Sequence, residues 1–175
     1  MLCQISSMER SKKIVLISHC LLNQNARPIG GEKYSGVVKE LLELFTESGV
    51  GIIQIPCPQM EFNEGLNRKV NSKEFYDSNG FRGKCQKLSL SLIQMIEVYL
   101  KKNYEILGIL GVEQSSTCGV YQVQNGRRSV PGKGIFIEEL EKEMEKKNFQ
   151  VPIIGVNLNN IYSSLEKVQS LLKFS

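Results

Sequence analysis

The sequence predicts an α/β fold, with three α/β/α layers around a mainly parallel, Rossmann-like sheet of four or five strands. Short runs rich in Val, Ile and Leu alternate along the chain with longer amphipathic segments, in the order β-α-β-α-β-α-β-α. This alternation is typical of parallel strands joined by crossover helices that cover both faces of a sheet. With 175 residues and 41% hydrophobic content, the chain can bury one substantial core. We therefore expect an N-terminal leader over residues 1–12 and a single domain over residues 13–175.

Four apolar runs are the predicted strands, at residues 13–18, 51–56, 106–112 and 151–156. The first run is continuous and β-branched, which is typical of a strand buried on both faces. Four amphipathic segments are the predicted helices, at residues 35–48, 85–102, 135–147 and 165–172. After the third strand, alternation around Asn125-Gly126 predicts a small hairpin.

Two connections have a special composition. Residues 59–84 are polar and rich in Asn and Gly, which predicts a long irregular segment that acts as a lid or binding loop. Gly132-Lys133-Gly134 resembles a phosphate-binding loop. It lacks the full P-loop spacing and is not expected to follow a strand, so we discount it as a phosphate site.

The charge pattern argues against two classes of partner. The net charge of +4 is mild and its Lys and Arg residues are dispersed, so nucleic acid is not favoured as a partner. No apolar run approaches the roughly 18 residues that a membrane span needs, and residues 1–10 lack the features of a signal peptide. We expect a cytoplasmic protein of undetermined oligomeric state. Its five cysteines are then more often buried, catalytic or metal-binding than paired in disulfides.

Three of the cysteines follow predicted strands. Cys20, Cys57 and Cys118 each lie just past the carboxyl end of an apolar run, within turn-forming sequence. Because the carboxyl ends of parallel strands meet at one edge of a sheet, the three thiols can converge. Burial as small apolar residues is the ordinary alternative for any one of them. Cys3 and Cys85 are not expected at this edge.

Three thiolates from separate loops suit a zinc ion or an iron–sulfur cluster. A zinc ion needs a fourth ligand or a water, and His19 is too close to Cys20 in sequence for both to reach one small ion easily. A cubane cluster accepts thiolates from separated loops, and with three of them one iron stays open as a Lewis acid. A cluster-free nucleotide- or sugar-binding domain with structural cysteines remains a further alternative.

Four short motifs together resemble the TudS-type thiouracil desulfidase family. They are Ser-His-Cys-Leu-Leu-Asn from residue 18, Pro-Cys-Pro-Gln from residue 56, Glu-Gly-Leu-Asn-Arg from residue 64 and Ser-Ser-Thr-Cys-Gly from residue 115. The resemblance covers about residues 13–160, in the same order and spacing. No single motif is specific, but their combination is.

The resemblance implies a [4Fe-4S] cluster with one open iron, held by Cys20, Cys57 and Cys118. It further implies a non-redox desulfidase that removes sulfur from a small thiocarbonyl or thioamide compound, such as a thiolated nucleobase, and releases sulfide. In that family a carboxylate after the Cys-Pro pair and a serine before the last cysteine transfer protons. The serine corresponds to Ser115.

This sequence departs from the family at the carboxylate. Gln59 stands where the family has glutamate, and an amide cannot act as an acid or base at ordinary pH. Glu61 could substitute for it after a shift of the loop. We therefore take Ser115, Glu61 and Gln59 as the candidate catalytic positions. An iron–sulfur carrier of sulfide or sulfur, without turnover, is the alternative that Gln59 favours.

Three further residues are candidates for substrate binding. His19 is the single histidine of the chain and lies beside Cys20, where it could donate to a cluster sulfur or to a substrate. Asn23 replaces a family glycine in the first motif, and Arg68 closes the third motif, where it could bind an anionic group.

Overall fold

A four-stranded parallel sheet lies at the centre of the computed structural model, which describes residues 9–60, 62, 65–78, 80–126 and 128–173. In chain order the strands are β1 (Lys13–Ser18), β2 (Gly51–Ile55), β3 (Glu105–Val112), β4 (Gln122–Asn125), β5 (Arg128–Pro131) and β6 (Ile153–Val156). The sheet has the order β2-β1-β3-β6, and all its pairs are parallel. β4 and β5 form a separate antiparallel hairpin, as the Asn-Gly pair predicted.

Helices cover both faces of the sheet. They are α1 (His19–Leu22), α2 (Lys39–Glu47), α3 (Lys73–Ser78), α4 (Phe81–Leu100), α5 (Ile135–Lys146) and α6 (Ile161–Lys173). On one face Leu16 and Ile109 pack in a core with apolar residues of α4 and α5. On the other face Val15 and Leu110 pack with α2 and α6. Alternate residues of each central strand thus enter opposite cores, and the predicted three-layer α/β fold is confirmed.

The segment at residues 59–84 is partly helical, so the prediction that it is irregular throughout was wrong. It contains α3 and the first turn of α4, because three aromatic side chains form a small core there. The ring of Phe81 lies 4.9 Å from both Phe62 and Tyr76, measured between centroids. Tyr76 and Phe81 are fully buried. Burial of these rings stabilises local helix that the polar composition of the segment concealed.

Other boundaries differ from prediction by a few residues. α2 begins at Lys39 rather than residue 35, since the N–H of Val38 still donates to the carbonyl of Leu21 in an extended conformation. Gly132 follows β5 directly, so the expectation that it does not follow a strand was also wrong. Residues 1–8 of the predicted leader, including Cys3, lie outside the described residues. No helix in the described part of the chain is long and apolar enough to span a membrane.

A charged network joins α3, α4 and α5. The guanidinium of Arg82 contacts the Asp77 carboxylate at 2.6 Å, Glu139 at 2.7 Å and Glu138 at 3.0 Å. The Glu139 side chain is only 6% exposed. Hydrogen bonds from Arg82 hold the pKa of Asp77 below its usual range. Burial raises the pKa of Glu139, but hydrogen bonds from Lys142 and Arg82 outweigh burial and lower it.

The substitution Arg82→Gln is expected to destabilise the protein by about 1–2 kcal/mol at pH 7, because it removes a partner from a buried carboxylate while the partly exposed Asp77 contact adds little. The carboxyl groups of Asp77 and Glu139 have depressed pKa values in the folded protein. Their contribution to stability is therefore present above the unfolded pKa and is lost as the pH falls through the folded pKa. In urea unfolding, the difference in free energy between the parent protein and Arg82→Gln should be largest at pH 7 and should shrink in the acid range.

Lys39→Gln is the matched control for this change. Lys39 pairs with Glu43 at 3.3 Å, but the side chains are 74% and 55% exposed. Its loss should cost about 0.5 kcal/mol or less. Equal effects of the two substitutions would contradict a structural role of the Arg82 network.

Candidate active site

Three cysteines line one pocket because their strands are adjacent. Cys20 lies in α1 directly after β1, Cys57 lies two residues after β2, and Cys118 lies in the turn after β3. Since the sheet order places β1 between β2 and β3, the three carboxyl ends are neighbours. The pocket that the thiols share is a small cavity of about 70 Å³.

The thiols interact electrostatically with one another and with two arginines. Burial raises the pKa of Cys20, an effect that the positive charge of Arg27 opposes. Burial, and then the charges of Cys20 and Cys57, raise the pKa of Cys118 well above its ordinary value. Three thiolates would therefore be unstable together without positive charge to compensate them.

Two guanidinium groups lie beside the sulfur atoms. Arg27 Nη1 is 4.0 Å from Cys20 Sγ, and Arg68 Nη2 is 3.9 Å from Cys57 Sγ. Arg68 is 3% exposed, whereas Arg27 is half-buried. Neither forms an ion pair with a carboxylate among the residues that the structure describes. Their positive charge is thus directed at the thiols.

Gln59 bridges Arg68 and the last cysteine turn. Its Oε1 accepts a hydrogen bond of 3.0 Å from Arg68 Nε, and its Nε2 donates one of 2.5 Å to Thr117 Oγ1. The other nitrogens of Arg68 donate to the carbonyls of Gly65 and Ala26. Gln59 is buried at 8% exposure, so both ends of its amide are held in place.

Ser115 organises the turn that carries Cys118. Its Oγ accepts hydrogen bonds from the backbone N–H of Cys118 at 3.0 Å and of Thr117 at 3.3 Å. The first N–H groups of α5 donate to the carbonyls of Ser116 and Thr117, so the start of α5 also holds this turn in place. The O–H of Ser115 itself has no acceptor among the described residues, so it is available as a donor to a ligand.

Several lining residues carried no signal in the sequence. They are Arg27, Asn71, Tyr76, Gln114 and Gln124. Arg27 lies in an Asn- and Gly-rich turn, and the others belong to segments that are only neighbours in space. Ser116 shows the connection, because its hydroxyl donates to the carbonyl of Asn71 at 2.6 Å. Segments after β2 and β3 therefore meet in the lining of this pocket.

Two of the expected binding residues do not line this pocket. His19 lies in a groove beyond Cys57, with its Nδ1 at 2.7 Å from Gln54 Nε2. The side chain of Asn23 caps its own turn by accepting from the backbone N–H and the side-chain amide of Asn25. Glu61 lies outside the described residues.

A sequence relative spans nearly the whole chain. The uncharacterized protein MJ0003 of Methanocaldococcus jannaschii is 33% identical over 164 residues, which cover 91% of this chain and 98% of that protein. The chain belongs to the MJ0003 family. No family model matches the sequence.

A solved structure shares the fold of this MJ0003 family member. It is the [4Fe-4S]-dependent thiouracil desulfidase TudS, with a TM-score of 0.54 and 16% sequence identity. The match covers 90% of this chain and 99% of that one. At this identity the likeness establishes a common α/β fold.

The three thiols that line the pocket of this MJ0003 family member are the ligand type that holds iron–sulfur clusters. Among the described residues, no three His, Cys, Asp or Glu side chains are close enough to hold one metal ion. A cubane binds each thiolate at a different iron, so its ligands stand further apart than those of zinc. The buried hydroxyl of Ser18, two residues before Cys20, lies beside Cys118, and its hydrogen bond opposes the rise in the pKa of that thiol. Nε2 of His19 is buried without a hydrogen-bond partner among the described residues, but His19 lies in the neighbouring groove and not in the thiol pocket.

Proposed function

We propose that this protein is a [4Fe-4S]-dependent, non-redox desulfidase that acts on a small compound with a carbon–sulfur double bond. The observation that carries the proposal is the shared pocket of Cys20, Cys57 and Cys118, with arginines beside two of the sulfurs. The fold that it shares with a [4Fe-4S]-dependent thiouracil desulfidase supports the same assignment. A thiolated nucleobase is the first substrate to test.

The proposed reaction replaces sulfur by oxygen without change of oxidation state. The C=S bond breaks, water supplies the oxygen of the new C=O bond, and both protons of that water leave with sulfur as hydrogen sulfide. Bound to the three thiolates, the cluster would supply an open iron as a Lewis acid for sulfur. The cytoplasm, where thiols stay reduced, is the compartment in which such a site would persist.

The residues around the thiols have separate roles in this proposal. Arg27 and Arg68 stabilise negative charge on the sulfur atoms. The Ser115 hydroxyl donates a hydrogen bond to the reacting group and is the candidate for proton transfer. Gln59 holds Arg68 and Thr117 in place and transfers no proton. Glu61 stays a candidate partner of Ser115.

Anaerobic reconstitution tests the proposal directly. We expect about four irons and four acid-labile sulfides per chain, and turnover of thiouracil or a related thiolated base. Alanine at Cys20, Cys57 or Cys118 should abolish cluster content, because two thiolates leave a cubane exposed. Cys85→Ala is the matched control, since Cys85 is fully buried within α4 and does not line the pocket. Full iron content in Cys57→Ala, or none in the unmodified chain, would overturn the assignment.

The fixed amide of Gln59 favours one alternative, an iron–sulfur carrier that binds sulfide without turnover. A carrier needs no acid–base group, and the amide of Gln59 cannot act as one. The two functions differ in stoichiometry. A carrier releases about one equivalent of sulfide per chain, whereas an enzyme continues until substrate is consumed.

A further inference from the structure

The described residues of the thiol pocket carry an excess of positive charge. Of its described lining residues, Arg27 and Arg68 are the cations, and none is an aspartate or glutamate. Arg68 is almost fully buried, so water screens its charge weakly. Such a pocket favours a ligand that brings negative charge with it.

The excess depends on the residue at position 59. The Oε1 atom of Gln59 accepts from Arg68 Nε, which is the position where a glutamate oxygen would form a buried ion pair. With an amide there, the guanidinium charge stays uncompensated by its neighbour. Three thiolates on a doubly positive cubane core leave one negative charge, which two arginines more than balance. Counted over the described residues, a site with Gln59 is therefore cationic, and the same site with glutamate would be neutral.

One arginine can contact a ligand directly. Arg27 uses Nε to donate to the carbonyl of Gly31 and directs Nη1 towards Cys20 Sγ. Its Nη2 has no hydrogen-bond partner among the described residues, and Arg27 lines the pocket. Arg68 differs, because its donors already bind Ala26, Gly65 and Gln59. Arg27 can therefore donate a hydrogen bond to a ligand, whereas Arg68 contributes positive charge to the pocket without contacting the ligand.

We propose that the pocket selects a small anionic sulfur compound, of which a thiocarboxylate is the simplest, and that Arg27 binds its charge while Gln59 keeps the pocket cationic. The proposal rests on the proposed desulfidase function and names its substrate class. In the reaction, one thiocarboxylate anion and one water give one carboxylate anion and one hydrogen sulfide. The carbon–sulfur bond breaks, a carbon–oxygen bond forms, and both protons of water end on sulfur. No electron acceptor or donor is needed.

Thioacetate and thioacetamide form a matched pair of probes, since they are similar in size and differ in charge. Binding of each to the full-length reduced chain, measured by calorimetry with and without reconstituted cluster, should favour thioacetate by about 10-fold or more at low salt. Arg27→Gln should remove the preference, and Arg27→Lys should retain part of it. Because this readout is binding, it does not depend on turnover.

Gln59→Glu is the decisive variant. A carboxylate fits the same contacts, because the Thr117 hydroxyl can rotate to donate to it while Arg68 continues to donate. The preference for thioacetate should fall to near unity. Gln94→Glu, on the exposed face of α4, adds the same charge away from the pocket and should leave the preference unchanged.

The outcomes separate this inference from the desulfidase assignment. Equal binding of the two probes, tighter binding of thioacetamide, no thioacetate binding in either form, or an unchanged preference in Gln59→Glu would each overturn the anion proposal. None of these results alters the iron and sulfide content that tests the cluster. Conversely, absence of iron would overturn the desulfidase assignment, even where thioacetate is preferred by the cluster-free chain.

Discussion

The substitution Gly134→Ala is expected to destabilise the protein by about 2–4 kcal/mol and to reduce the amount of the proposed cluster that it binds. A Cβ atom at this position would lie 2.7 Å from the backbone nitrogen of Cys118, and closer still to the carbonyl carbon and oxygen of Thr117. These are backbone atoms, so no side-chain rotation can relieve the overlap. The backbone at Gly134 has a φ of −71°, which alanine adopts freely, so the expected effect is steric.

Gly83→Ala is the matched control for this prediction. Gly83 lies within α4, and no atom lies within 4 Å of the Cβ that alanine would add. Alanine is a better helix former than glycine, so the variant should gain about 0.5–1 kcal/mol. Urea unfolding and iron analysis of both variants check the prediction. Gly134→Ala with normal stability and normal iron content would show that α5 does not position the Cys118 turn.

The second large effect is expected for Arg68→Met, with a loss of about 3 kcal/mol or more. Methionine retains much of the apolar stem but removes the donors to the carbonyls of Ala26 and Gly65 and to Gln59. Each buried acceptor left unsatisfied costs about 1–3 kcal/mol. Because Arg68 joins the turn after β1 to the segment after β2, that segment should also become more sensitive to limited proteolysis.

Arg128→Met removes the same charge from an exposed position on β5 and is the control. Its effect on the free energy of unfolding should stay within about 0.5 kcal/mol. If the two arginine variants unfold at the same urea concentration, the buried hydrogen bonds of Arg68 do not contribute to stability.

The sequence was sufficient to predict the strands and the position of each cysteine after a strand. The apolar runs ending before Cys20, Cys57 and Cys118 coincide with β1, β2 and β3. The order of the strands in the sheet could not be predicted, because residues 13–18 could pair with any of the other predicted strands. The convergence of the thiols depends on β1 lying between β2 and β3, and that is a property of the tertiary packing.

Other features of the site were hidden for identifiable physical reasons. The sequence does not indicate the packing role of Gly134, because the backbone that it contacts belongs to the Cys118 turn, 16 residues earlier (134 − 118). The sequence did not indicate Arg27 as a site residue, since a single arginine in a turn is usually solvated. Gln59 was correctly identified as a departure from the family glutamate, but its bridge between Arg68 and Thr117 requires three segments in contact.

The position of β1 inside the sheet has a consequence for the order of assembly during synthesis. Lys13 pairs with Glu105, which leaves the ribosome 92 residues later (105 − 13). Until β3 emerges, the edge of β1 that β3 later covers is unprotected, and the β1–β2 pair presents two thiols without the third. Non-local pairing of this kind is slow, and nascent strand edges are prone to misassembly. A cofactor that needs all three thiols can therefore enter only after Cys118 has been synthesised.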